Sequence, residues 1–150
     1  MKFNKFTAFV VAVVSTVITG VALAQFAKPE SAIKYRQSAL SVMGTHFARI
    51  AAVAKGEVPY NKDDVMKNAA IVNTMASLPW QAFGPGTEGG SALPAIWTET
   101  DKFKSSQEKL ISAAASLNSA AQSGDLDAIK KATAATGATC KGCHDEFKKK

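Results

Sequence analysis

The sequence predicts an all-α fold: an antiparallel up-down-up-down four-helix bundle with a long loop between the second and third helices. Three observations carry this. Apolar residues recur at three- and four-residue steps through four stretches of the chain. Strand-like β-branched runs are scarce after residue 24, and Gly and Pro concentrate in one stretch between the second and third periods. At 150 residues the chain supports one domain with a real core.

Residues 1–24 stand outside that fold. Lys2 and Lys5 make a short basic head, an apolar run extends from about Phe6 to Val21, and Ala22-Leu23-Ala24 supplies the small residues of a signal-peptidase site. A membrane anchor is the competing reading, because the run approaches spanning length. Thr7, Ser15, Thr16, Thr19 and Gly20 weaken that reading, and no basic stop-transfer cluster follows. The expectation is therefore a signal peptide cleaved after Ala24 and an exported domain of residues 25–150, with no membrane attachment after cleavage. Losing Lys2 and Lys5, with no acidic residue in the same piece, takes the formal charge from +6 to +4. Much of the remainder sits at Lys148, Lys149 and Lys150, a charge run that suits a solvated helix end. No stripe interleaves arginines with aromatics, so nucleic-acid binding finds no support.

The first helix should begin at Lys28-Pro29, where the missing proline N–H costs nothing, and end at Lys55-Gly56, where glycine takes a left-handed cap. Ile33, Leu40, Met43, Phe47, Ile50, Ala51 and Ala54 form its buried stripe. The second follows Val58-Pro59-Tyr60-Asn61, with Asp63 as its N-cap, an inward row of Val65, Ala69, Val72 and Met75, and an end at Leu78-Pro79. PWQAFGPGTEGGSALP, Pro79 to Pro94, then holds four glycines and three prolines, too many for a regular element. A loop this long in a compact domain usually covers something, and Trp80 and Phe83 suit that task. The third helix gathers around Ile96-Trp97 and runs to about Gln122, with Phe103, Leu110, Ala113, Ala114, Leu117 and Ala121 at helical spacing. Ser123-Gly124-Asp125 breaks and recaps the chain, and the fourth helix runs from about Leu126 to the C-terminus.

That last helix ends in CKGCHDEFKKK, which contains both cysteines of the chain and one of its two histidines. On a helix Cys140, Cys143 and His144 stand at i, i+3 and i+4, so all three leave one face within a turn. Two thiols at that spacing suit thioethers to the vinyl groups of a haem, with the next residue's imidazole under the iron. The rivals are weaker. Structural zinc needs four ligands, and beyond this triplet only His46 and scattered carboxylates remain. A redox dithiol belongs at a helix start after a strand, whereas this pair lies near a chain end. A disulfide stays open for an exported protein. The export signal and the adjacent histidine together favour covalent haem c, one per chain, through Cys140 and Cys143.

RQSAL at Arg36 to Leu40, LPWQAFGPGTEGG at Leu78 to Gly90, PAIW at Pro94 to Trp97 and the terminal CKGCH together resemble the bacterial cytochromes c′. The likeness covers essentially all of residues 25–150. Cytochromes c′ are themselves a standard example of the up-down-up-down bundle, so the resemblance and the helical periods support one fold. The resemblance implies a periplasmic homodimer through helices one and two, and a five-coordinate, high-spin haem ligated by His144 that binds NO and CO. It also places Leu40 over the iron and leaves an unidentified periplasmic redox partner to be found.

Arg36 and Gln37 precede Leu40 by four and three residues, within reach of the haem rim, where the arginine would pair with a propionate and the glutamine donate a hydrogen bond. Lys148 falls one turn beyond His144, where many members of the family carry arginine; lysine keeps the charge and lacks the planar fork. Glu88 and Ser91 are further candidates for the propionate edge. Leu40, Met43 and Phe47 share the buried stripe while His46 lies well round the helix, and Met43, Met66 and Met75 read as core filler. The leading function is therefore a haem protein that binds NO and CO at an apolar distal site and buffers or sequesters NO. The alternative is a six-coordinate electron-transfer cytochrome using Met43 or His46 as second axial ligand. No acid–base pair or nucleophile constellation appears, so an enzyme is the weakest class.

Overall fold

The computed structural model describes residues 26–150, so the export signal expected in residues 1–24 lies outside the described residues. Four long helices make the bundle: α1 (Pro29–Ala54), α2 (Lys62–Met75), α4 (Thr100–Ser123) and α5 (Leu126–Phe147), with a one-turn α3 (Ala95–Thr98) ahead of α4. Packing of α1 on α2, α2 on α4, α4 on α5 and α5 on α1 closes the ring. None of the helices among the described residues is long and apolar enough to cross a membrane.

The termini follow the chemistry of their residues. Pro29 opens α1, and Gly56 (φ 79°) closes it in a Schellman turn, with Gly56 N–H donating to Val53 O and Glu57 N–H to Ala52 O. Gly124 (φ 76°) ends α4, and the Asp125 carboxylate then accepts from the N–H groups of Asp127 and Ala128 to start α5.

Four expected boundaries shift. Asn61, not Asp63, caps α2: its backbone is extended and its Oδ1 accepts from Asp64 N–H at 3.1 Å. Asp63 instead lies in the first turn, where a negative charge meets the positive end of the helix dipole. α2 stops at Met75, and the crossing segment is not wholly irregular, since Pro79–Phe83 forms a 3-10 turn. The third helical period is interrupted at Glu99 (φ −113°, ψ 50°), which separates α3 from α4. α5 ends at Phe147 and leaves Lys148 extended, because residues 148 and 149 pair with the crossing segment through a bridge to Ala92.

Ile50, Val65, Val72, Leu117 and Ile129 fill the centre, and fully buried Ala69, Ala114 and Ala121 let the helices approach closely. Thr133 and Thr136 are buried as well, and each returns its hydroxyl to the carbonyl four residues earlier. A second cluster of Ile96, Phe103 and Phe147 packs at the end of the bundle where the crossing segment passes.

Candidate functional site

A cavity of about 480 Å³ opens between α1 and α5 beneath the crossing segment. Cys140, Cys143, His144, Phe147 and Lys148 line it from α5 and its end, and Arg36, Gln37, Leu40, Ser41, Met43, Gly44 and Phe47 line it from α1. Trp80, Phe83, Ile96, Phe103 and Leu110 complete apolar walls, with Gly89, Ser91 and Ala92 at the rim. Arg36, Gln37, Leu40, Cys140, Cys143, His144 and Lys148 therefore meet at one place, with Ser91, whereas Glu88 is not part of the lining. His46 does not: its Nδ1 bonds Asn68 Oδ1 on α2 at 2.7 Å.

The two thiols are free and half-buried, one helical turn apart. Burial pushes the Cys143 thiol up to about 11, with the charges of Cys140 and Glu146 adding to the shift, and burial raises Cys140 against a hydrogen bond with Thr139. As thiols, both would stay protonated at neutral pH. Desolvation lowers the His144 pKa, the Lys148 charge lowers it further and Asp145 opposes them, a shift toward the neutral imidazole that ligates metals. Among the described residues no three His, Cys, Asp or Glu side chains converge as a zinc site requires.

Arg36 occupies a different position from the one its spacing suggested. It is only 3% exposed, and its Nη1 donates to Ala82 O at 2.8 Å and Thr87 O at 2.7 Å while Nη2 donates to Gly89 O at 3.0 Å. Its guanidinium also lies 4.5 Å from the Phe83 ring centroid and 5.6 Å from that of Trp97. Desolvation lowers its pKa and Glu88 works against that, yet a guanidinium stays charged. Arg36 thus fastens the crossing segment to α1 as well as lining the cavity. Glycine is favoured where that segment lies on α1: Gly90 has φ 62°, a left-handed conformation that other residues rarely adopt, and a Cβ there would make Gln37 Nε2, 2.8 Å away, move aside.

Trp80 and Phe83 cover the cavity as expected, in a cluster with Trp97, Phe103 and Phe147. Trp80 Nε1 is satisfied by Ala76 O and Trp97 Nε1 by Gly84 O. Phe147, Gly44 and Ser41 line the cavity and went unread in the sequence. Phe147 lies three and four residues beyond His144 and Cys143, so the same-face rule that grouped the motif reaches it too. Gly44, one turn beyond Leu40, has open space where a side chain would stand, and nothing in its spacing signals that.

The family model for cytochrome c′ matches residues 31–148. The chain belongs to the cytochrome c′ family. It is 48% identical over 126 residues to cytochrome c′ of Alcaligenes xylosoxydans xylosoxydans, covering 84% of this chain and 99% of that protein. It is 45% identical to cytochrome c′ of Rubrivivax gelatinosus over 84% of this chain and all of that one. Among solved structures, a nitric oxide complex of a leucine-to-alanine variant of the Alcaligenes xylosoxidans protein superposes with a TM-score of 0.81 at 47% identity, covering 84% of this chain and 99% of that one.

The cofactor of this family is haem c, and this chain has the donor set for it. Two cysteines one turn apart on the wall of a large apolar cavity, followed directly by a histidine, fit covalent attachment through Cys140 and Cys143.

Proposed function

We propose that this chain is an exported haem protein that binds NO and CO at a five-coordinate iron and buffers or sequesters NO in the periplasm. One observation carries the reading: Leu40, Met43 and Phe47 on α1 share a single apolar cavity with Cys140, Cys143 and His144 on α5, while His46 is engaged with Asn68 outside it. The nitric oxide complex of the Alcaligenes relative supports the choice of ligand. Bound haem supplies an iron with one position for the imidazole and one for a diatomic ligand.

The chain's own residues set the rest. His144 would hold the iron from α5, and Leu40 on α1, with no lone pair to donate, would crowd an incoming ligand. Gln37 lines the cavity where propionates would lie, Arg36 would lend its charge from beneath the crossing segment that it fastens, and Lys148 would bring its charge to the His144 side. The domain assignment is a cleaved signal over 1–24 and a haem-binding bundle over 25–150. The assembly is a homodimer through the outer faces of α1 and α2, consistent with Val42 being 40% exposed on α1.

Met43 favours one second reading, because it lines the same cavity and is 6% exposed. As a sulfur ligand it would fill the sixth position and make the chain an electron carrier. An absorption spectrum of the ferrous protein with and without CO separates the two. A high-spin spectrum that changes on CO addition supports gas binding, and a low-spin spectrum indifferent to CO overturns it.

A further inference from the structure

The C-terminus of α5 does not fray into its three lysines. Leu93 N–H donates to Phe147 O at 3.0 Å and Lys149 N–H donates to Ser91 O at 2.8 Å, forming an antiparallel bridge between Ala92 and Lys148. The crossing segment that supplies this partner is itself fixed to α1, because the buried Arg36 holds Ala82, Thr87 and Gly89 by their carbonyls. Both ends of the segment are therefore anchored, one on each wall of the cavity. Consecutive like charges repel, so a Lys-Lys-Lys run is a poor place to expect a fixed backbone without such a partner.

We propose that the bridge between residues 91–93 and 147–149 is a positioning device that holds Lys148 at the cavity wall beside His144. Lys148 lines the cavity from an extended backbone (φ −121°, ψ 135°), directly after the helix that carries His144. With the bridge in place its ammonium has one backbone origin and only its own side-chain torsions left to vary. With the bridge open, Lys148 keeps its N–H bond to His144 O at 3.2 Å, while its own φ and the two residues after it lose their anchor. The inference rests on the reading of His144 as the iron ligand, and it adds that the crossing segment, far away in sequence, sets the charge next to that ligand.

The decisive variant is Lys149→Pro in the haem-loaded protein. Proline removes the N–H that bonds Ser91, and the dihedrals of Lys148 already suit a residue preceding proline. Lys149→Ala is the control, since it removes the same side chain and keeps the N–H. Amide hydrogen exchange reports the bridge, and the iron–imidazole stretch in the Raman spectrum of the ferrous protein reports the charge beside His144. The expected result in Lys149→Pro is an acceleration of Leu93 exchange by about tenfold or more. The iron–imidazole band should shift in the direction produced by Lys148→Ala. Lys149→Ala should match wild type in both, and Lys148→Ala/Lys149→Pro should shift the band no further than Lys148→Ala alone.

The proposal is overturned if Leu93 exchange is unchanged in Lys149→Pro, if it rises while the band stays at the wild-type frequency, or if the two substitutions add. Wild-type protein that gives a low-spin spectrum indifferent to CO would instead refute the gas-binding reading, with the exchange measurement still reporting on the bridge.

Discussion

His46 Nδ1 donates to Asn68 Oδ1 at 2.7 Å, and Asn68 Nδ2 donates in turn to Asp64 O, so the only histidine outside the CKGCH motif is tied to α2. The asparagine amide is oriented by its second bond, which makes its oxygen the acceptor and fixes the proton on Nδ1. An imidazole so held is a poor source of a second axial ligand. His46→Ala is expected to leave the ferrous and ferric absorption spectra unchanged and to cost about 1 kcal/mol of stability, the usual net value of one hydrogen bond. A change of spin state in this variant would place His46 on the iron.

Haem attachment and thiol chemistry give linked expectations. Acid acetone should leave the haem on the loaded protein, whose two sulfurs are consumed in thioethers; release of free haem would defeat covalent attachment.

In the folded, haem-free chain the Cys143 thiol is held up to about 11 by burial. Its alkylation should stay slow at pH 8 and accelerate as pH rises toward that value. The sign for stability follows: the folded state keeps its proton above the ordinary cysteine value of 9.0, whereas the unfolded chain has already released it. The contribution is fully present below about pH 9 and is lost as pH rises toward about 11. Denaturant midpoints of the haem-free protein across that window, compared with Cys143→Ser, provide the measurement.

The bundle was legible in the sequence because helical amphipathicity is local: four apolar rows, a proline start and two glycine stops place α1, α2, α4 and α5 within a few residues. The haem motif was legible for the same reason, its three side chains lying within one turn. Sequence spacing did not reveal what long-range partners decide. Arg36 bonds carbonyls 46 to 53 residues away, so its helix position suggests an exposed rim residue when it is in fact buried. Likewise α5 was expected to continue through its lysines, and it stops because the crossing segment supplies backbone partners there.

Arg36→Ala should therefore damage the crossing segment first. It strips three buried or part-buried carbonyls of a charged donor, a loss of about 3 kcal/mol or more by the cost of hydrogen bonds to charged groups. Arg36→Lys should recover only part of it, because a single ammonium cannot reproduce the planar fork that spans these acceptors. Thermal unfolding of the two variants gives the ranking wild type, Lys, Ala in falling stability. Equal stability of all three would mean that the segment is held elsewhere.

Export has its own readout. Cleavage after Ala24 would leave Gln25 at the N-terminus, where it could cyclise to pyroglutamate. The intact mass of protein recovered from the periplasm should correspond to residues 25–150 plus one haem, with or without loss of ammonia from Gln25. A mass that retains residues 1–24 would refute the cleavage.

Leu40 tests the proposed gas chemistry directly. It is part-buried on the α1 wall of the cavity, with Met43 and Phe47 beside it and the cysteines and His144 across from it. If its isobutyl group stands where a sixth ligand must bind, each incoming CO has to push it aside, and that displacement adds to the barrier. About 1.4 kcal/mol of such displacement corresponds to tenfold in rate. Leu40→Ala should accordingly accelerate CO association by about tenfold or more and raise affinity, because the bound complex no longer compresses the side chain. The same truncation should lower fold stability by about 2 kcal/mol, the low end for a core leucine, since Leu40 already faces open space. Stopped-flow absorbance on wild type and variant measures the rate, and denaturant unfolding measures the cost. CO association unchanged in Leu40→Ala, with the fold intact, would show that access to the iron is set by another residue of the cavity.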